Sequence, residues 1–424
     1  MESIILATGL IYFIGHLLTH FFERSKVPDV LMLIIIGIVA GPVTGLMTVD
    51  RIGDAGRVFT QFALIIILFE GGLDIELRSL VRSARHSVIM TTAFFFISAA
   101  TVGSIMHFGF DYSPMASAVT GFICGGTSSA VVIPLLGMIR ASKKAAAMLV
   151  IESALTDVYC IVFVIGTLQS IESGEFKVGM IVYRLTSSLV VATLIGLVGG
   201  VLWLRAINWI RQFNNTQFAT CFCMFVIYGI TEMLGFSGAI AALAFGIVMG
   251  NAPVIARKLY NSYLTVSPVG VLSDAEKTLY KELAFLVKIF FFLYLGISIP
   301  FESRSIMAVA ACVVVALFAL RPWCALLLTG GSIGAHDKTI TAVMLPKGLA
   351  AAVLAGLPAQ YGMAEGADIQ AITFHIVLYS IIITSTLIPL VERTAVGTFL
   401  DGLFAKSGAA AAGEDESHEP DEQQ

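Results

Sequence analysis

The stretch Cys124-Gly125-Gly126-Thr127-Ser128-Ser129, with Pro134 close behind, lies in the middle of an apolar run covering 113–137. Paired glycines are poor helix formers, and hydroxyl side chains take up the backbone groups that an interrupted helix frees. A second interruption, Leu345-Pro346-Lys347-Gly348, lies in the apolar run 337–358. Proline removes a backbone donor and pushes the residue before it into an extended conformation. Either break alone reads equally well as a packing kink. Together they occupy corresponding places in a repeated plan, and that correspondence points to the architecture.

Outward from the two breaks, apolar runs near the ~20 residues that a helix needs to cross a bilayer recur along the chain. They fall near 2–20, 28–47, 57–76, 87–107, 113–137, 145–170, 178–204, 216–233, 236–250, 280–299, 305–329, 337–358 and 367–391, thirteen candidate spans with the breaks in the fifth and twelfth. A separation of seven spans is that of two six-helix inverted repeats around one linking helix. Discontinuous helices in matching repeat positions are the best sequence pointer to the ion site of such a fold. The composition agrees, with 57% hydrophobic residues, 13% charged residues and a mean hydropathy of +0.91. A soluble domain is about a quarter charged. The apolar/polar alternation of a membrane barrel is absent, so the expected fold is all-α and polytopic.

Lysine and arginine orient the spans. Seventeen of the 25 fall in alternate connections or the C-terminal tail, among them Arg78, Arg82, Arg85, Arg140, Lys143 and Lys144. Five, Arg51, Arg57, Lys177, Arg184 and Arg304, fall on the opposite side, and Lys288, Arg321 and Lys347 lie within spans. The richer side is read as cytoplasmic, with the N-terminus external and the C-terminus internal in the inner (plasma) membrane. The first apolar run has no basic n-region or small-residue cleavage signature and is read as a retained span. Two segments follow from this, a transmembrane domain over 1–395 and a short cytoplasmic tail over 396–424. The tail is Ala/Gly-rich and then acidic (Glu414, Asp415, Glu416, Glu419, Asp421, Glu422), and is expected to be disordered.

Cys124, Cys160, Cys221, Cys223, Cys312 and Cys324 all lie in apolar runs without metal-ligand spacing and read as small buried hydrophobes. The formal net charge of −4 says little about partners, because the signs are sorted by side of the membrane. The expected partner is the bilayer, with no nucleic acid and no cofactor.

Ionisable residues at membrane depth are costly and mark function by default. Glu152 and Asp157 share the sixth span, in Val150-Ile151-Glu152-Ser153-Ala154-Leu155-Thr156-Asp157. Helical spacing puts Ser153 and Asp157 on one face and Glu152 and Thr156 on the next. Hard oxygens of this kind suit an alkali cation or a proton, not a transition metal. Asp157 is read as the ion-holding carboxylate, against the alternative of a carboxylate satisfied by a helix neighbour. Glu152 is read as a structural ion pair or an ion contact. Glu70, ending the third span, is either a further ligand or a solvated helix-end residue. Arg321 needs a partner, for which Glu152 or the region of Asp157 is the candidate. Lys347 is placed to offset the partial negative charge of half-helix C-termini. Lys288 is expected to snorkel to the cytoplasmic surface, and His375 to be a satisfied core residue.

Taken together, these residues resemble the monovalent cation:proton antiporters, and within them the NhaP-like sodium/proton exchangers. The matching stretches are Phe69-Glu70-Gly71-Gly72-Leu73, Thr127-Ser128-Ser129, Glu152-Ser153 with Thr156-Asp157, Phe291-Phe292 with Gly296, and Pro346-Lys347-Gly348, in family order over about 1–395. The resemblance implies the inverted-repeat antiporter fold, a homodimer, and a monovalent cation and a proton alternating at Asp157. It assigns Ser153 and Thr127 to the cation with Asp157, Ser128 and Glu70 as further ligands, and Glu152, Arg321, Lys347 and Thr156 to structural or tuning roles. Three positions depart from the family pattern. Thr156 stands where Asn or Asp is usual, Ser128 where many members have Asp, and Lys347 where Arg is usual. The break at 127–129 is closer to the potassium-efflux branch, so potassium and lithium stand beside sodium as substrates.

The implied activity is one-for-one, electroneutral exchange by alternating access, with spans 5, 6, 12 and 13 rocking against the rest. The rival is a sodium-coupled symporter of an organic anion, with Arg321 as the basic anchor. No enzyme is expected, since no Gly-x-Ser-x-Gly or His-Glu-x-x-His motif is present. A channel would need a filter sequence, which is also missing.

Overall fold

The structure, a computed structural model, describes residues 9, 13, 15, 17, 29–47, 54–74, 77–136, 139–172, 178–213, 216–255, 272–301, 303–329 and 333–415. Among them there are helices and no strands. Ser87–Gly109, Lys143–Gln169, Val190–Ile207, Arg304–Thr329 and Gly366–Arg393 are each long and apolar enough to cross a membrane, and shorter apolar helices fill the remaining places. The chain is a multi-pass membrane protein. Most of the expected first span, 2–20, lies outside the described residues, as do most of the connection 251–279 and the acidic end 416–424.

In chain order the helices are α1 (Asp29–Ile38), α2 (Asp54–Asp74), α3 (Leu77–Ser104), α4 (Pro114–Cys124), α5 (Ser129–Leu136), α6 (Lys143–Glu172), α7 (Val178–Ile210) and α8 (Ala219–Met233). They continue with α9 (Gly238–Gly250), α10 (Asp274–Ser298), α11 (Arg304–Thr329), α12 (Ala335–Val343), α13 (Leu349–Leu354), α14 (Leu357–Gln360), α15 (Gly366–Arg393) and α16 (Ala395–Asp415). Wide-turn segments, Val39–Val43 and Ile105–Gly109, extend α1 and α3.

Two bundles emerge from the packing. In one, α9 lies between α2 and α7, α8 joins α9 and α7, and α10 packs on α1 and α2. In the other, α3 packs on α4, α6 and α11, while α11 packs on α12 and α15. The α6–α7 junction and sparser contacts connect the two. The second bundle therefore contains the fourth and eleventh spans as well as 5, 6, 12 and 13, one more span per repeat than expected. Its members form two triplets seven spans apart, α3 with α4–α5 and α6, and α11 with α12–α13 and α15.

Close helix crossings in lipid are built on small residues. A Cβ on Gly72 would lie 2.5 Å from the Leu243 carbonyl, and one on Gly246 would lie 2.4 Å from that of Phe69, so α2 and α9 touch backbone to backbone. Gly37 and Gly296 do the same for α1 and α10, with Cβ positions 2.3 Å from the carbonyls of Leu293 and Ile34. Two motif glycines, Gly72 and Gly296, thus serve packing. In the second bundle Phe95 is fully buried, with ring centroids of Tyr159, Phe163 and Phe122 at 5.3, 5.8 and 6.4 Å, which joins α3, α4 and α6. At the start of α4 the Ser113 hydroxyl accepts from the Ala116 amide at 3.2 Å. The same side chain hydrogen-bonds Glu365, just ahead of α15, and this contact holds the Glu365 carboxyl below the usual carboxylate range.

The tail departs from expectation. Where the sequence predicts disorder from 396, Ala395–Asp415 is helical. Asp401 accepts from Thr339 Oγ1 at 2.5 Å and faces His336 Nδ1 at 3.0 Å, and Phe404 is buried with Ala325 and Ala342. Alanine is the best helix former, and Leu400 and Phe404, one turn apart, face the protein. The docked turn lies just ahead of the Ala/Gly-rich stretch, which begins after Lys406.

Candidate functional site

The two breaks meet. Between α4 and α5, residues 125–128 leave the helix, as do 344–348 between α12 and α13. In a membrane interior, freed backbone groups must find partners within the protein. Here the breaks supply them to each other: the Ser128 amide donates to the Pro346 carbonyl at 2.8 Å, and Lys347 Nζ donates to the Gly126 carbonyl at 2.6 Å. The Lys347 amide donates to Ser380 Oγ on α15 at 2.9 Å. The crossing leaves no room at Gly348, where a Cβ would lie 2.0 Å from Ser128 Oγ. Lys347 is 1% exposed, so its ammonium sits against the C-terminal end of the α4 half-helix, where a cation offsets the carbonyl dipoles.

α6 passes this crossing with the segment that carries both carboxylates. The Thr127 amide donates to Thr156 Oγ1 at 3.0 Å, and the Thr156 hydroxyl is within 3.2 Å of the Ser153 carbonyl. Thr156 therefore stitches the first break to α6 through backbone groups, and the two threonine hydroxyls approach to 3.5 Å. Asp157 is partly accessible. The Ser129 hydroxyl donates to its Oδ2 at 2.7 Å, and among the described residues no lysine or arginine pairs with it. Ser153, which helical spacing puts on the face of Asp157, is fully buried and donates instead to the Val150 carbonyl of its own helix at 3.1 Å.

Glu152 is held differently. Arg321 NH1 lies 2.6 Å from Oε1 and NH2 donates to Oε2 at 2.9 Å, a two-pronged pair with 5% and 2% of the residues exposed. Arg321 Nε donates to the Thr341 carbonyl on α12 at 2.9 Å, and its guanidinium carbon stands 4.0 Å from the centre of the Phe94 ring. One arginine thus joins α3, α6, α11 and α12.

The site brings together Asp157, Thr127, Thr156, Ser128 and Lys347 around the crossing, and binds Glu152 to Arg321. Glu70 lies on α2 in the other bundle and is half-buried. Lys288 lies 5.5 Å from the Phe285 ring centre. His375 is fully buried, with Nδ1 2.8 Å from the Ala371 carbonyl and, among the described residues, no hydrogen-bond partner at Nε2. Sequence reasoning missed Ser129 as the neighbour of Asp157, although Ser129 is the last residue of the quoted hydroxyl break. It also missed Phe94 as the platform under Arg321.

A family model described as the sodium/hydrogen exchanger, transmembrane, matches residues 9–393. The chain belongs to this sodium/hydrogen exchanger family. Within the family, the chain is 24% identical over 368 residues to the Na(+)/H(+) antiporter 1 of Methanocaldococcus jannaschii, covering 82% of this chain and 81% of that one. It is 26% identical over 263 residues to the K(+)/H(+) antiporter NhaP2 of Shewanella oneidensis, covering 61% of this chain but only 45% of that protein's length. The solved structure of the sodium proton antiporter MjNhaP1 from Methanocaldococcus jannaschii at pH 8 superposes with a TM-score of 0.74 at 21% identity, over 91% of this chain and 100% of that one. The exchanger fold is therefore shared across nearly the whole chain.

Proposed function

We propose that this protein exchanges a monovalent cation for protons by alternating access, with Asp157 holding the two in turn. One observation carries this reading. At the crossing of the two broken helices there is a partly accessible carboxylate held by the hydroxyl and backbone amide of Ser129 and by no cationic side chain among the described residues, while the neighbouring carboxylate is locked to an arginine. An ionised carboxylate without a fixed counter-charge is costly at membrane depth. Crossing is favoured only when it carries a proton or a cation, and that coupling is what an antiporter needs. Family membership supports the same reaction class.

Sodium is the first candidate, because the relative that matches along most of both chains is named for sodium. Potassium and lithium are the alternatives, the former favoured by the shorter match to a potassium antiporter. With one exchanging carboxylate the stoichiometry is one for one and electroneutral. The moving unit is the bundle of α3–α6, α11–α13 and α15. The N-terminus is external, the C-terminus cytoplasmic, and the working form is a homodimer in the plasma membrane. The anion-symport reading loses its anchor, since Arg321 is already taken up by Glu152, Thr341 and Phe94.

The test is cation-induced collapse of an imposed pH gradient in proteoliposomes. Sodium, lithium and potassium are added to wild type and Asp157→Asn, with valinomycin and an uncoupler as controls. Collapse by one cation that disappears in Asp157→Asn supports exchange at this residue. Sealed wild-type vesicles that respond to no cation at any pH would contradict it.

A further inference from the structure

We infer that Ser129 is a direct ligand of the transported cation and helps to decide which ion is accepted. The inference rests on exchange at Asp157 and takes it down to the atoms that touch the ion.

Ser129 opens α5, so the break itself delivers its side chain to α6. Its hydroxyl donates to Asp157 Oδ2 at 2.7 Å, and both residues are half-buried. A hydroxyl has one proton and two lone pairs. With the proton given to Oδ2, both lone pairs stay available beside the carboxylate, and an oxygen of this kind suits an alkali cation. The competing hydroxyls, those of Thr127, Ser128, Ser153 and Thr156, are all buried. Ser153 is fully buried and donates to the Val150 carbonyl. Thr156 is fully buried, accepts from the Thr127 amide and lies within reach of the Ser153 carbonyl. Ser128 is pressed against Gly348. Ser129 alone among these five joins partial accessibility to contact with Asp157.

The contact also bears on competition with protons. Donation by the hydroxyl favours the charged carboxylate, so Ser129 assists the state that takes up a cation and opposes the one that keeps a proton. A merely positioning serine would orient Asp157 for proton and cation alike and would leave ion preference unchanged.

The experiment uses the full chain in proteoliposomes. Initial rates of gradient collapse are measured against sodium, lithium and potassium concentration at several pH values, for wild type, Ser129→Ala, Ser129→Cys and Ser129→Thr. The expected result for Ser129→Ala is a rise in KM for the transported cation of about tenfold, the scale of one hydrogen bond to a charged group. The preference among the three cations should change as well, and the onset of transport should move to higher pH. Ser129→Cys keeps the volume, replaces the hard oxygen with sulfur, and should behave like alanine; Ser129→Thr keeps the hydroxyl and should restore KM and preference. If Ser129→Ala does not fold, the cysteine and threonine variants decide between the outcomes. Unchanged KM and preference at every pH in an exchanging protein would overturn the inference, and so would a fall in maximal rate alone. If wild type itself does not exchange, the reading of Asp157 fails first, which is a separate result.

Discussion

Glu152 and Asp157 stand five residues apart on α6, and the protein treats the two carboxylates in opposite ways. Both oxygens of Glu152 are gripped by Arg321, and the pair is buried. Asp157 keeps partial access and has Ser129 as its neighbour. Arginine is always protonated, so Glu152 has a permanent counter-charge, and separating them would leave two buried charges uncompensated. It can hold helices together but has no reason to change partners. Asp157 has no such counter-charge, so a proton and a cation compete for it. The contrast shows that residue type and depth alone do not identify an exchange site; what the carboxylate is already bonded to decides its role.

Removing the counter-charge from Glu152 tests this contrast with the largest expected effect on stability. Arg321→Ala should destabilise the protein by about 3–5 kcal/mol through the buried carboxylate it strands, seen as a lower unfolding midpoint in detergent. Combining Arg321→Gln with Glu152→Gln should recover most of that loss, whereas full loss in the double variant would mean that Arg321 acts through Phe94 and Thr341 alone. A middle-sized effect is expected from Gly348→Ala, whose new Cβ would lie 2.0 Å from Ser128 Oγ. It should cost about 1–3 kcal/mol by overpacking and slow exchange, because it displaces the Asp157 side of the site while leaving the Glu152–Arg321 pair in place. The smallest effect is expected from Asp401→Asn, remote from both carboxylates. Weakening its contacts with Thr339 and His336 should cost about 1 kcal/mol and leave the KM for the cation unchanged, as transport assays would show.

Much of this arrangement was legible in the sequence. Apolar run lengths placed the spans, Gly125-Gly126 and Pro346 placed the breaks, and the helical period separated Glu152 from Asp157. Contacts set by rotation and packing were not legible. Ser129 reaches Asp157 because α5 starts where it does, which fixes a direction no spacing rule contains. Phe94 beneath Arg321 joins helices more than two hundred positions apart in the chain. The same non-local packing assigns α3 and α11 to the second bundle, beyond what the two breaks alone suggest. Residues 396–405 misled for another reason, since they lead into the Ala/Gly-rich and acidic stretch that follows Lys406, and only the docking of Asp401 and Phe404 sets them apart from it.

The claim that Asp157 alone holds proton and cation in turn is tested most directly by counting protons released when cation is added to the purified protein in weakly buffered detergent solution. Wild type should release about one proton per cation bound at saturation, Asp157→Asn should release none, and the paired Glu152→Gln, Arg321→Gln variant should release as wild type does. Release that persists in Asp157→Asn, or disappears in the paired variant, would contradict the assignment and move the exchanging proton to another group.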